Sequence, residues 1–141
     1  MKKFFTISIF TALVALLGVG CCACRKGANN KSLTAQEWHL VRMMERDLQI
    51  APEQFVFSFS ADGKFAGVAV CNRLMGEYQI TERGGMKFSN VASTRMLCRE
   101  ADLESQFSEI LGRTTHYEID GDMLMLLSNG EMQAVLKAVG R

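Results

Sequence analysis

A chain of 141 residues with a formal charge of +1 has room for one well-cored domain and not for two. Its near-neutral balance excludes a protein drawn by bulk charge to nucleic acid or to an acidic substrate. Its two histidines, His39 and His116, have no Cys or His spacing around them to make a metal site, so no metal or cofactor is expected.

The first 20 residues differ from all that follow. Met1-Lys2-Lys3 is a basic start, 4–17 is an almost unbroken apolar run, and Gly18-Val19-Gly20 supplies small residues before a cysteine. This is the pattern of an export signal, with an uncleaved anchor as the alternative. Leu17-Gly18-Val19-Gly20-Cys21 resembles a bacterial lipobox. Gly20 and Val19 suit that motif, whereas Gly18 stands where a branched aliphatic is usual and Leu17 lies one place early. Cys21 is the expected lipidation site and Cys24 the fallback. Three cysteines within residues 21–24 lack the spaced pairs of a zinc site. Residues 25–32 carry nothing large and apolar and read as a tether. The expected division is a signal over 1–20, a lipidated tether over 21–33 and a domain over 34–141. Loss of Lys2 and Lys3 takes the charge from +1 to −1.

From Thr34 the dominant period is two, and turn dipeptides recur at short intervals, which predicts antiparallel β-structure. Trp38, Leu40 and Arg42 alternate with His39 and Val41, giving a first strand over 38–43. Residues 44–54, with the only proline, Pro52, read as a connection. Phe55, Phe57 and Phe59 share one face of the next strand, and Asp62-Gly63 turns the chain into a strand over 64–71. Gly67 and Ala69 give that strand a small face, over which a phenylalanine or Trp38 is expected to lie. Residues 72–76 read as the next connection, followed by a strand bearing Tyr78 and Ile80, the turn Gly84-Gly85, and a strand over 86–91.

The period then changes. Leu103, Phe107, Ile110 and Leu111 fall on one helical face, with acidic residues near the start, Arg113 at the end and Gly112 as the expected C-cap. An amphipathic helix is predicted at about residues 100–112, placed to plug an open end of a barrel. Strands follow over 115–120, 123–128 and 131–138, separated by Gly121-Asp122 and Asn129-Gly130. Residues 123–127 are apolar on both faces, which predicts a central strand. The fold class is thus mainly β (α+β): an antiparallel barrel of about 7–8 strands with one helix packed on it.

Val70-Cys71-Asn72-Arg73 with Gly76-Glu77, Thr94-Arg95-Met96-Leu97-Cys98, the helix through Phe107 and Leu111, and Leu124-Met125-Leu126 together resemble the META domain of the HslJ-like family (DUF306). The resemblance runs from about Trp38 to Leu136, and the two cysteine-bearing motifs are its most specific part. Val70 stands where many members have glycine, a departure that bears on the local backbone. The resemblance implies a small lipocalin-like barrel. It also implies a bacterial envelope lipoprotein, associated with stress responses and without an agreed enzymatic activity.

After export, Cys71 and Cys98 meet an oxidising compartment that favours a disulfide, although cysteine is also readily buried as a free thiol. No Cys-x-x-Cys or neighbouring histidine supports a redox or nucleophilic role. Asn72, Arg73, Thr94 and Arg95 either satisfy backbone groups at strand ends or converge on one rim that takes an anionic or peptide ligand. Asp120-Gly121-Asp122 lacks the other ligands of a calcium loop and reads as a hairpin turn. No catalytic residues emerge, and no nucleotide or hydrolase motif is present. The expectation is a non-enzymatic binding or structural protein of the cell envelope, anchored at the outer membrane on its periplasmic face or at the surface. Its partner is either an envelope protein or a small ligand. A lipocalin-like carrier of an apolar ligand, suggested by the Phe55, Phe57 and Phe59 face, is the alternative, and an enzyme without a recognisable motif is the third.

Overall fold

The computed structural model describes residues 31–140; the export signal, Cys21 and Cys24 lie outside the described residues. The elements, in chain order, are β1 (Glu37–Met43), β2 (Arg46–Asp47), β3 (Phe55–Phe59), β4 (Lys64–Ala69), β5 (Asn72–Ile80) and β6 (Met86–Ser93). After these come α1 (Ala101–Arg113), β7 (His116–Asp120), β8 (Met123–Ser128) and β9 (Glu131–Val139). All strand pairs are antiparallel, in the order β6-β5-β4-β3-β1-β9-β8-β7, with β2 pairing β1 to the side. The sheet curls into a half-barrel. Its two ends, β6 and β7, meet at one corner, where Gly85 bridges His116 and the Met86 N–H donates to Thr115 O at 2.9 Å. Below that corner the two strands diverge, and α1 packs against β6 in the opening.

The alternation read from the sequence places the core. Trp38, Leu40, Phe55, Phe57, Phe59, Leu124 and Leu126 all point inward and are buried. Trp38 satisfies its indole N–H on Leu33 O at 2.9 Å, so the one polar atom of that ring carries no desolvation cost. Phe107 of α1 stacks on Phe57 at 5.0 Å and meets Phe55 edge-on at 5.3 Å. Phe59 meets Tyr78 edge-on at 5.3 Å, and Phe65 meets Phe88 at 5.2 Å. Phe55 and Phe57 are therefore packed on each other and on α1, and Phe59 on Phe65, Tyr78 and Phe88. Burial of Phe107, Ile110 and Leu111 contributes on the order of 6 kcal/mol, an upper estimate.

Gly67 lies directly opposite Phe57, and a Cβ there would fall 2.4 Å from the Phe57 ring and 2.1 Å from Val56 O. The small face of β4 is thus the seat of a phenylalanine, as the alternation suggested.

Four expectations need correction. Residues 44–54 are not simply a connection: Met44 and Glu45, both at positive φ, turn the chain back so that β2 pairs β1, and Arg42 reaches Asp47 at 2.6 Å. Residues 72–76 are not a connection either, because the reversal after β4 needs only Val70 and Cys71 and β5 begins at Asn72. Gly112 lies inside α1; the helix ends at Arg113 and is capped by Thr114, whose Oγ1 donates to Ile110 O at 2.7 Å and whose N–H bonds Leu111 O. β8 is central, as expected, but its outward residues Met123, Met125 and Leu127 are half-buried and not fully covered.

Candidate functional site

The two cysteine motifs meet at one corner of the half-barrel, and a tight turn is what brings them there. β4 reverses through Val70, held at φ 59°, and Cys71. A β-branched residue in the left-handed region is sterically strained. That conformation explains why glycine suits this position in the resembling family. The Val70 N–H is fixed on Gln54 O at 2.6 Å.

Asn72, the first residue of β5, is buried with its amide at the centre of the corner. Its Nδ2 donates to Glu104 Oε2 at 2.6 Å and to Met96 O at 3.2 Å. Its Oδ1 accepts from the Met96 N–H at 2.8 Å and from Thr94 Oγ1 at 3.1 Å. All four bonds that a primary amide can make are thereby formed within the protein. Thr94 Oγ1 in turn accepts the Arg73 N–H at 2.9 Å, and Ser93 Oγ donates to Glu104 Oε1. The result is a polar clasp joining the β4–β5 turn, the 94–100 loop and the first turn of α1.

Cys71 and Cys98 are bonded across the same corner, with their Cα atoms 6.4 Å apart. A loop closed over a separation of 27 residues stabilises by about 3.5 kcal/mol in the chain-entropy model. The bond and the clasp act on the same loop from its two sides.

The expected rim residues therefore do come together, but they divide. Asn72 is buried and the hydroxyl of the exposed Thr94 is bonded within the clasp, whereas the side chains of Arg73 and Arg95 are exposed. Neither arginine takes part in the ion pairs found among the described residues. His39 and His116 lie far apart in the sheet, on β1 and β7, and no group of three His, Cys, Asp or Glu side chains converges among the described residues. Asp122 sits in the β7–β8 turn, 3.9 Å from Lys137.

The sequence reading missed Glu104. It had been counted with the acidic residues that favour a helix start, yet it is buried. The signal was available: 104 falls three and seven positions before Phe107 and Leu111, on the apolar stripe, where a carboxylate needs a partner.

The META domain family model matches residues 31–139. The chain belongs to the META domain family. Among solved structures, an NMR structure of a protein from Burkholderia xenovorans is 18% identical with a TM-score of 0.60, covering 77% of this chain and 85% of that one. A second NMR structure is 22% identical with a TM-score of 0.59, covering 74% and 90%. The crystal structure of a DUF4847 family protein from Bacteroides vulgatus is 16% identical with a TM-score of 0.56, covering 75% and 93%. These likenesses are of fold. No curated protein matches the chain. In this META domain the paired cysteine motifs are structural at their centre and open to solvent at Arg73, Arg95, Met96 and Leu97.

Proposed function

We propose that this META domain is a non-enzymatic binding or structural module of the bacterial envelope, held at the outer membrane by a lipid on Cys21. Family membership over residues 31–139 supports an envelope-associated role without catalysis. The observation that carries the reading is the clasp: the polar groups of its two motifs are used to hold the chain, with Asn72 bonded at both ends of its amide. The aromatic interior supports it further, since the rings that suggested a carrier are packed on other rings, Phe55 and Phe57 on each other and on Phe107, and Phe59 on Phe65, Tyr78 and Phe88. What remains for recognition is the outer surface, where Arg73 and Arg95 are exposed.

The anchor is tested in bacteria expressing the full chain with labelled palmitate in the medium. Cys21→Ser is expected to abolish labelling and to release the protein from the membrane fraction, while Cys24→Ser leaves both unchanged. An unlabelled wild-type protein recovered in the soluble fraction would overturn the anchored reading.

A further inference from the structure

We infer that the outer face of β5, with the 94–99 loop beside it, is a contact surface for an anionic lipid bilayer, separate from any N-terminal anchor. Two independent observations point there.

The first is where apolar side chains are left in water. Among the described residues the exposed large apolar groups are Met75 (47%), Ile80 (49%), Met96 (57%), Leu97 (104%) and Met132. All but Met132 lie on β5 or on the loop that runs beside its start. Leu97 projects wholly into solvent, yet its loop is not slack: Met96 is held at both backbone groups by Asn72, and Cys98 is bonded to Cys71. A loop pinned on both sides of an exposed leucine loses little further freedom on insertion.

The second is charge. Residues 60–99, which contain β4, β5, β6 and the loop, carry six basic and three acidic residues, a net of +3. Residues 114–140, which contain β7 to β9, carry one basic and four acidic, a net of −3, and residues 100–113, with α1 packed on β6, carry a further −3. The two ends of the open sheet are thus opposite in sign, and the apolar groups lie on the positive one. Arg73, Arg95 and Arg99 are exposed beside Met96 and Leu97. Of the nearest carboxylates, Glu77 is engaged by Asn90 at 2.8 Å and Glu100 follows Arg99 at the helix start. Arginines around exposed methionine and leucine match phosphate headgroups above an acyl boundary.

Residues 31–140 as a whole carry −4, so the domain must meet an anionic surface with this side foremost. At about 0.1 M salt the Debye length is about 10 Å, and only the facing charges count. The chain enters the fold where the Lys31 N–H bonds Gly121 O, in the β7–β8 turn. That turn lies at the end of the sheet opposite the loop. Met75, on the outward face of β5, lies toward the loop with Met96 and Leu97, whereas Ile80 shares the opposite face with Tyr78. The contact is therefore made by the loop and the outward start of β5 and does not require the tether to emerge there.

The test uses residues 31–141, which hold every contact described above and lack the expected lipid. They are sedimented with vesicles of phosphatidylethanolamine containing a third phosphatidylglycerol, and separately with pure phosphatidylcholine vesicles. Binding is expected to the anionic vesicles at about 0.1 M salt, weakening severalfold at about 0.5 M. A Leu97→Asp/Met96→Asp double variant should fall to the level seen with phosphatidylcholine. Arg95→Ala should lose about fivefold, the effect of one basic residue near an anionic membrane. Glu118→Lys, on the acidic side, should not weaken binding. Each variant is checked for a wild-type thermal transition, and Arg95→Ala, fully exposed, keeps the test open if the double variant fails to fold. Absence of binding to anionic vesicles, or equal binding to both kinds, overturns the inference and leaves the face to a protein partner. That result is distinguishable from failure of the lipid anchor, because no anchor is present in the assay.

Discussion

One helix is attached to this sheet in two different ways. The body of α1 is held by apolar packing, with Phe107 stacked on Phe57 and edge-on to Phe55 and with Ile110 and Leu111 buried. Its first turn is held by directed polar bonds, with Glu104 accepting hydrogen bonds from Asn72 and Ser93. Apolar packing is non-directional and falls off in proportion to the area lost. A buried polar network is closer to all-or-none, because each unpaired member carries its full desolvation cost. The first attachment therefore supplies most of the stability, and the second sets where along the sheet edge the helix begins and where the 94–100 loop lies.

The larger effect is expected at the apolar attachment. Phe107→Ala removes a ring with two aromatic neighbours and should cost about 4 kcal/mol, read as a lower urea midpoint with an unchanged slope. A cost below about 2 kcal/mol would show that the helix body is not what joins the sheet. Asn72→Ala comes next, at about 3 kcal/mol. It strips Glu104 of one partner, Met96 O of its amide donor and the Met96 N–H of the shorter of its two bonds. Coupling distinguishes the two attachments more sharply than size. Asn72→Ala and Glu104→Ala should combine to less than their sum by at least about 1 kcal/mol, whereas Asn72→Ala and Phe107→Ala should nearly add. Strict additivity of the first pair would dissolve the clasp as a unit.

The same division decides what could be read from the sequence. Period-two runs through Phe55, Phe57 and Phe59, and period-3.6 spacing through Phe107, Ile110 and Leu111, reported the apolar attachment directly, because burial of a face leaves a repeat in the chain. The seat of Phe57 on Gly67 was legible for the same reason. The polar attachment leaves no repeat. Asn72 and Met96 are brought together by a fold that must already exist, and Glu104 looked like an ordinary acidic residue of a helix start. The bond between Cys71 and Cys98 was legible from the oxidising compartment and not from spacing, which alone does not say which side chains face each other. β2 was missed because Met44 and Glu45 reverse the chain without glycine at either position.

The smallest expected effect lies at the turn on which the polar attachment depends. Val70 sits at φ 59° directly before Cys71 and Asn72, so the backbone that aims both groups passes through a conformation costing a β-branched residue about 1–2 kcal/mol. Half-buried packing of its methyls against the core offsets part of that. Removing the side chain by Val70→Ala forfeits the packing and keeps the strain, whereas Val70→Gly forfeits the packing and relieves it. With the disulfide intact in both, Val70→Gly should unfold at a higher urea concentration than Val70→Ala, by about 1 kcal/mol. The usual order in strands is the reverse, since glycine loses more backbone freedom on folding. If alanine proves the more stable, the turn is not strained and the clasp is aimed by its hydrogen bonds alone. If glycine does, this chain holds its polar attachment in place against a bias of its own backbone, and the bond between Cys71 and Cys98 is what makes that tolerable.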